Sequence, residues 1–275
     1  MTSFQRIIKY CATALAIFLI VTIIGGGVTA ILTVTGVKSL KNEIAENKEQ
    51  FSQFEEYIPA DQSPEKLYIE VGATNMVIEK GDAFTLRYAG VNFDFIEDEG
   101  KLEIESNDSS LFSMGATGQL IITVPEKMSF KKVGVSAGAG DIYIESLVCD
   151  SLDLDLGAGQ LDIDYIRVKK EADIDGGAGE ITIADGCIEN LDISSGVGKT
   201  EVTAQLKGES SIEAGVGDTK LTLKGEKDAY TIFAETGIGA FRVDGKRVVD
   251  GDIIGNGKNM VEIEGGIGAV RVQFE

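Results

Sequence analysis

Gly138-Ala139-Gly140-Asp141-Ile142-Tyr143-Ile144 returns nineteen residues later as Gly157-Ala158-Gly159-Gln160-Leu161-Asp162-Ile163. It returns again as Gly177-Ala178-Gly179-Glu180-Ile181-Thr182-Ile183. Further copies of the glycine pair follow at Gly196-Val197-Gly198, Gly215-Val216-Gly217, Gly237-Ile238-Gly239 and Gly266-Ile267-Gly268. First glycines lie 19, 20, 19, 19, 22 and 29 residues apart, a period that marks stacked repeats of one supersecondary unit.

The flanks keep phase with the glycines. Three and five residues before each first glycine stand Val135/Val133, Leu154/Leu152, Ile174/Ala172, Ile193/Leu191, Ile212/Ser210, Ala234/Ile232 and Ile263/Val261. Two and four residues after each second glycine the chain is again apolar or Thr, from Ile142/Ile144 to Val270/Val272. Charged and hydroxyl residues fill the places between. Each copy therefore reads as two short strands with one buried and one wet face. The parity slips by one residue across each Gly-x-Gly, which makes the motif a corner. The middle residue, Ala in early copies and Val or Ile in later ones, is expected to stack inward there.

One such coil cannot bury a core, but stacked coils can. The expected fold class is all-β, a parallel β-helix or solenoid with coils of about 19–20 residues. Gly72-Ala73-Thr74 is a degraded first copy, with Leu67 and Ile69 before it and Met76 and Ile78 after it. Strands near 84–88, 101–105 and 120–124 keep alternation but lose the period. They are read as irregular first coils of the same domain, the alternative being a small β-domain of their own.

Residues 10–37 form a run of 28 without charge. A helix of that length exceeds the ~30 Å hydrocarbon core. Arg6 and Lys9 precede it and no acid occurs before Glu43. The expectation is a single-pass anchor in a bacterial cell membrane, N-terminus cytoplasmic and the rest outside. A cleaved signal peptide ending at Val28-Thr29-Ala30 is the competing reading. Leu40, Ile44, Asn47, Phe51, Phe54 and Ile58 then follow a 4-3-4-3-4 spacing. This predicts one amphipathic helix packed on the next domain, or a self-associating stalk over Leu40–Ile58. Pro59 and Pro64 end it. The domains expected are thus 1–37 (tail and anchor), 38–64 (helix and linker) and 65–275 (β-repeat).

The net charge of the 275 residues is −20. Residues 1–60 hold five basic and five acidic side chains, so all of it falls on 61–275. That excludes a nucleic-acid footprint of the ordinary kind. With no histidine in the chain, imidazole acid–base chemistry and His metal sites are excluded too. Cys149 and Cys187 lie two coils apart, about 9–10 Å, too far for a disulfide; Cys11 lies in the anchor. Gly-Ala-Gly leads into a strand, so no helix N-terminus awaits a phosphate.

Asp153, Asp173 and Asp192 each lie four residues before a Gly-x-Gly and should stack in one outward column, with Asp155 and Asp175 beside it. Stacked carboxylates repel, and Ca²⁺ is the cation that would relieve them; a solvated anti-aggregation face is the simpler reading. No catalytic or cofactor-binding residue is expected.

The motifs at 138–144 and 177–183, with the ending Val261-Glu262-Ile263-Glu264-Gly265-Gly266-Ile267-Gly268-Ala269-Val270-Arg271-Val272, resemble a large bacterial family of β-strand-repeat proteins known as the putative adhesins. The resemblance covers about residues 65–275. It implies a right-handed β-helix at the cell surface, and it implies no catalytic residues. An N-terminal membrane segment is common in such proteins from Gram-positive bacteria. The function expected is a non-catalytic envelope protein that binds a wall polymer or a surface protein. The alternative is the outer part of an envelope-stress system acting through a membrane partner; a polysaccharide-active enzyme is more remote.

Overall fold

The computed structural model describes residues 54–106 and 118–275. Anchor residues 10–37 and seam positions 40–53 lie outside them. Among the described residues no helix is long and apolar enough to cross a membrane.

The described chain is nearly all β. It opens with β1 (Glu55–Tyr57), β2 (Lys66–Gly81), β3 (Thr85–Ala89), β4 (Phe93–Asp98), β5 (Lys101–Ser106) and β6 (Gly118–Pro125). The regular part follows as β7 (Phe130–Ala139), β8 (Ile142–Ile144), β9 (Leu147–Ile163), β10 (Ile166–Ile183), β11 (Gly186–Glu189), β12 (Leu191–Lys207), β13 (Glu209–Glu213) and β14 (Thr219–Leu223). The chain closes with β15 (Tyr230–Glu235), β16 (Phe241–Val243), β17 (Lys246–Arg247), β18 (Asp252–Gly255), β19 (Asn259–Glu264) and β20 (Val270–Phe274).

Parallel pairing follows the repeat. Ala139 faces Ala158, Ala158 faces Ala178, and Ala178 faces Val197, so equivalent residues of successive copies lie side by side. The degraded copy is in register too: Ala73 faces Ala139. The rows predicted to be apolar are the core. One runs Ile104, Ile69, Val135, Leu154, Ile174, Ile193, Ile212, Ile263 and Ala234, all buried. The odd Ser210 of the neighbouring row is satisfied, its hydroxyl accepting the Leu191 N–H at 3.3 Å.

Rungs do not stack in chain order at either end. β13 and β14 pair with β19 and β20, and these in turn pair with β15 and β16. The copy at 266–268 is therefore inserted before the copy at 237–239, which explains the long intervals of 22 and 29 residues. The first end mirrors this: β2 lies between the outer rung of β5 and β6 and the inner rung of β7 and β8. Antiparallel strands cover both outermost rungs, β4 on β5 and β3 on β6 at one end, β18 on β15 and β17 on β16 at the other. Such cover protects edges that invite strand addition from another chain.

Two expectations are corrected. The middle residues of Gly-x-Gly do not stack inward. They form a ladder on the outside, Val216 37% exposed, Ile267 45% and Ile238 73%. The reason is that the glycines on either side press against the backbone of the neighbouring rung, which turns the middle Cβ to solvent. The amphipathic helix does not reach Ile58 either. Glu55–Tyr57 is a strand, paired antiparallel with β3. Tyr57 stacks on Phe95 at 4.2 Å, and its hydroxyl donates to Glu97 Oε1 at 2.5 Å. Glu97 also accepts the Ala60 and Asp61 N–H groups at 3.0 Å. Those bonds beat the heptad spacing, and the residues read as linker are strapped to β4.

Candidate functional site

The outward side of the strand preceding each corner makes one continuous face. Parallel register keeps like positions adjacent at about 4.8 Å, so a residue type repeated in sequence becomes a column in space. Asp153 faces Asp173 and Asp173 faces Asp192, as predicted. Register extends this column to Glu103, Tyr68 and Gly134 on one side and to Ser211, Glu262 and Phe233 on the other. Beside it runs Glu105, Glu70, Ser136, Asp155, Asp175, Ser194, Glu213, Glu264 and Glu235. The carboxylates outside the regular copies escape a reading by spacing alone. The signal that finds Glu70, Glu262 and Glu264 is the phase of Gly72-Ala73-Thr74 and of the 266–268 copy, whereas Glu103 and Glu105 have no such motif beside them.

The acids of this face affect one another. Burial first, then Asp175, Asp192 and Asp153, raises Asp173 above the ordinary carboxylate value. Burial followed by Asp155 does the same for Asp175, and burial followed by Glu213 and Glu235 for Glu264. Lys132 Nζ lies 3.5 Å from Asp153 and relieves only that end. Side chains on a ladder stand parallel rather than convergent. Among the described residues, no three carboxylates or thiols come together closely enough to hold a metal ion.

At Gly134 the face has a notch. With no side chain there, Tyr68 lies across the glycine, 3.0 Å from where a Cβ would be. Glu70, Glu103, Glu105, Ser136 and Asp153 surround the groove, and Lys101 Nζ sits 5.4 Å from the Tyr68 ring centre. Lys101 of the chain itself takes the aromatic face, and the carboxylates around it offer oxygen acceptors to a cationic group.

The connections between the regular rungs are short: two residues separate β8 from β9, β9 from β10 and β10 from β11. Both described cysteines are free thiols. Cys149 is buried, which pushes it up to about 12. Cys187 is half-buried and its thiol donates to Gln205 at 3.5 Å.

Residues 57–253 match the family profile described as Toastrack DUF4097. Among solved structures, the chain is similar to a putative cell adhesion protein from Clostridium sporogenes ATCC 15579. Identity is 17% and the TM-score 0.32, over 81% of this chain and 99% of that one. It is also similar to a putative adhesin from Bacteroides fragilis NCTC 9343, at 13% identity and a TM-score of 0.42, over 80% of this chain and 96% of that one. No curated protein matches the chain. The family profile, which spans most of the described residues, fits the β-repeat resemblance.

Proposed function

The chain belongs to the Toastrack DUF4097 family, and on that premise we propose that it is a non-catalytic, membrane-anchored envelope protein whose β-repeat domain is a solenoid built for binding. The ligand class is a wall polymer or surface protein that presents cationic groups. The observation that carries this reading is the pair of carboxylate columns through Asp153, Asp173 and Asp192 and through Asp155 and Asp175, side by side on one outward face. In the regular copies, two-residue connections add no long loop that would wall in a reaction centre beside that face. A regular face of one charge sign suits an extended partner of the opposite sign and speeds its encounter. The uncharged run at 10–37 supports a position at the membrane.

The test is crosslinking of the full-length chain in cells, followed by identification of what is captured. The expected capture is a cationic surface protein or wall polymer, reduced at least tenfold when Asp153, Asp173 and Asp192 are replaced by Asn. Capture that is indifferent to those replacements, or confined to a membrane kinase or transporter, would overturn the reading.

A further inference from the structure

The outward face after each corner changes sign along the stack. In spatial order its central column reads Asp162, Thr182, Glu201, Lys220, Arg271, Arg242 and Arg247. The last four are all exposed and face one another directly across β14, β20, β16 and β17. Three steps of about 4.8 Å put roughly 14 Å between the first and last of these strands. Like charges directly opposite on neighbouring strands are destabilising. Here three such pairings follow in series, on a chain whose net charge is −20.

The protein does little to neutralise them. Arg271 meets Asp218 at 3.3 Å. Among the described residues, Lys220, Arg242 and Arg247 form no ion pair, and the nearby Asp244 is taken by Lys227. The flanking positions on the same rungs are Ala240, Ala269, Thr222 and Gln273, together with the acids Asp218 and Asp244, which pair with Arg271 and Lys227. All four cations remain exposed, and among the described residues only Arg271 of the four has an acidic partner.

We propose that Lys220, Arg271, Arg242 and Arg247 form a binding track for a linear, flexible polyanion. The stack holds cations in a row at a spacing that successive phosphates or carboxylates of one polymer strand can follow, and neutralisation by the polymer removes the repulsion. This ligand is separate from the cationic partner proposed for the carboxylate face, so each reading can fail without the other.

The test measures binding of the full-length chain to fluorescent long-chain polyphosphate and, in parallel, to polygalacturonate. At about 50 mM salt, where ionic contacts are strong, the chain is expected to bind at least one polymer, and added salt to weaken binding steeply. The double variant Arg242→Ser/Arg247→Ser should lose at least tenfold in affinity and lower the salt slope by about one or more. It should also melt no lower than the parent, because it relieves like-charge contact. Binding to polyphosphate alone assigns a phosphate polymer, and binding to both assigns any dense polyanion. The proposal is overturned if neither polymer binds, or if Lys66→Ser/Lys207→Ser causes an equal loss. Binding only to duplex DNA or phosphatidylglycerol vesicles overturns it as well.

Discussion

Gly179 lies so close to Gly159 on the neighbouring rung that a Cβ on it would stand 1.6 Å from the Gly159 carbonyl oxygen. Its φ of +157° is a second obstacle, and the second glycine of every complete copy has positive φ as well. Gly179→Ala is therefore expected to destabilise the fold by about 4 kcal/mol or more. Gly245 also has positive φ but has nothing within 4 Å. Gly245→Ala should cost only about 1–2 kcal/mol. Urea unfolding of both variants checks this; equal losses would mean that backbone contact between rungs is not what selects glycine.

Asp173, Asp175 and Glu264 set a pH dependence. An acid raised in the folded state binds its proton more readily folded than unfolded. Its stabilising contribution is present below the ordinary carboxylate value and is lost as pH rises through the raised one. Asp150, Asp185 and Asp218 are lowered by their lysine, arginine and backbone partners, so they act in the opposite direction and only at lower pH. The melting temperature should thus rise on mild acidification from neutrality before falling in stronger acid. Asp173→Asn should flatten that rise and stabilise the neutral protein by a few tenths of a kcal/mol, about the scale of one cross-strand pair. A monotonic fall from pH 8 downward would refute this.

Cys149 should resist alkylation at pH 8 while Cys187 is labelled. Burial holds the Cys149 thiol up to about 12, so the reactive thiolate is scarce in the folded protein. Because the raised value belongs to the folded state, its contribution to stability is lost as pH climbs from the ordinary thiol value towards 12. Peptide mapping after iodoacetamide treatment, native and in denaturant, reads both sites.

The Tyr57 strap should open by itself. Tyr57→Ala removes the ring stacked on Phe95 and the hydroxyl bonded to Glu97, two contacts worth about 1–2 kcal/mol together. Hydrogen exchange at residues 55–61 should speed up while Leu154 and Ile174 stay protected. Uniform acceleration would mean that the strap is part of the cooperative core.

Rung order can be checked by crosslinking in a chain whose native cysteines are replaced. Ser211 and Glu262 are direct neighbours, whereas Ser211 and Phe233 are two rungs apart. Ser211→Cys/Glu262→Cys should oxidise to a disulfide and Ser211→Cys/Phe233→Cys should not, since Cα atoms must lie within about 7 Å. The reverse outcome would restore stacking in chain order.

The repeat, its buried rows and the Asp153–Asp173–Asp192 column were legible in the sequence, because parallel register turns a period into a column without further information. The rest of the acidic face was hidden. Glu103 and Glu105 belong to a rung with no Gly-x-Gly, and Glu262 and Glu264 reach their places only through the inserted last rung.

Sequence alone determined that each copy alternates, bends at paired glycines and must stack to bury Leu154, Ile174 and Ile193. Local spacing and hydrophobicity suffice for that. Tertiary structure alone decided that Ile267 lies between Val216 and Ile238, that Tyr57 joins a strand, and that Lys220, Arg271, Arg242 and Arg247 stand in one row. All rungs present nearly the same backbone edge and apolar rows, so pairing energy barely distinguishes their order. What distinguishes it is long-range: which arrangement leaves antiparallel strands to cover both outer edges, a property of the whole stack and of no single repeat.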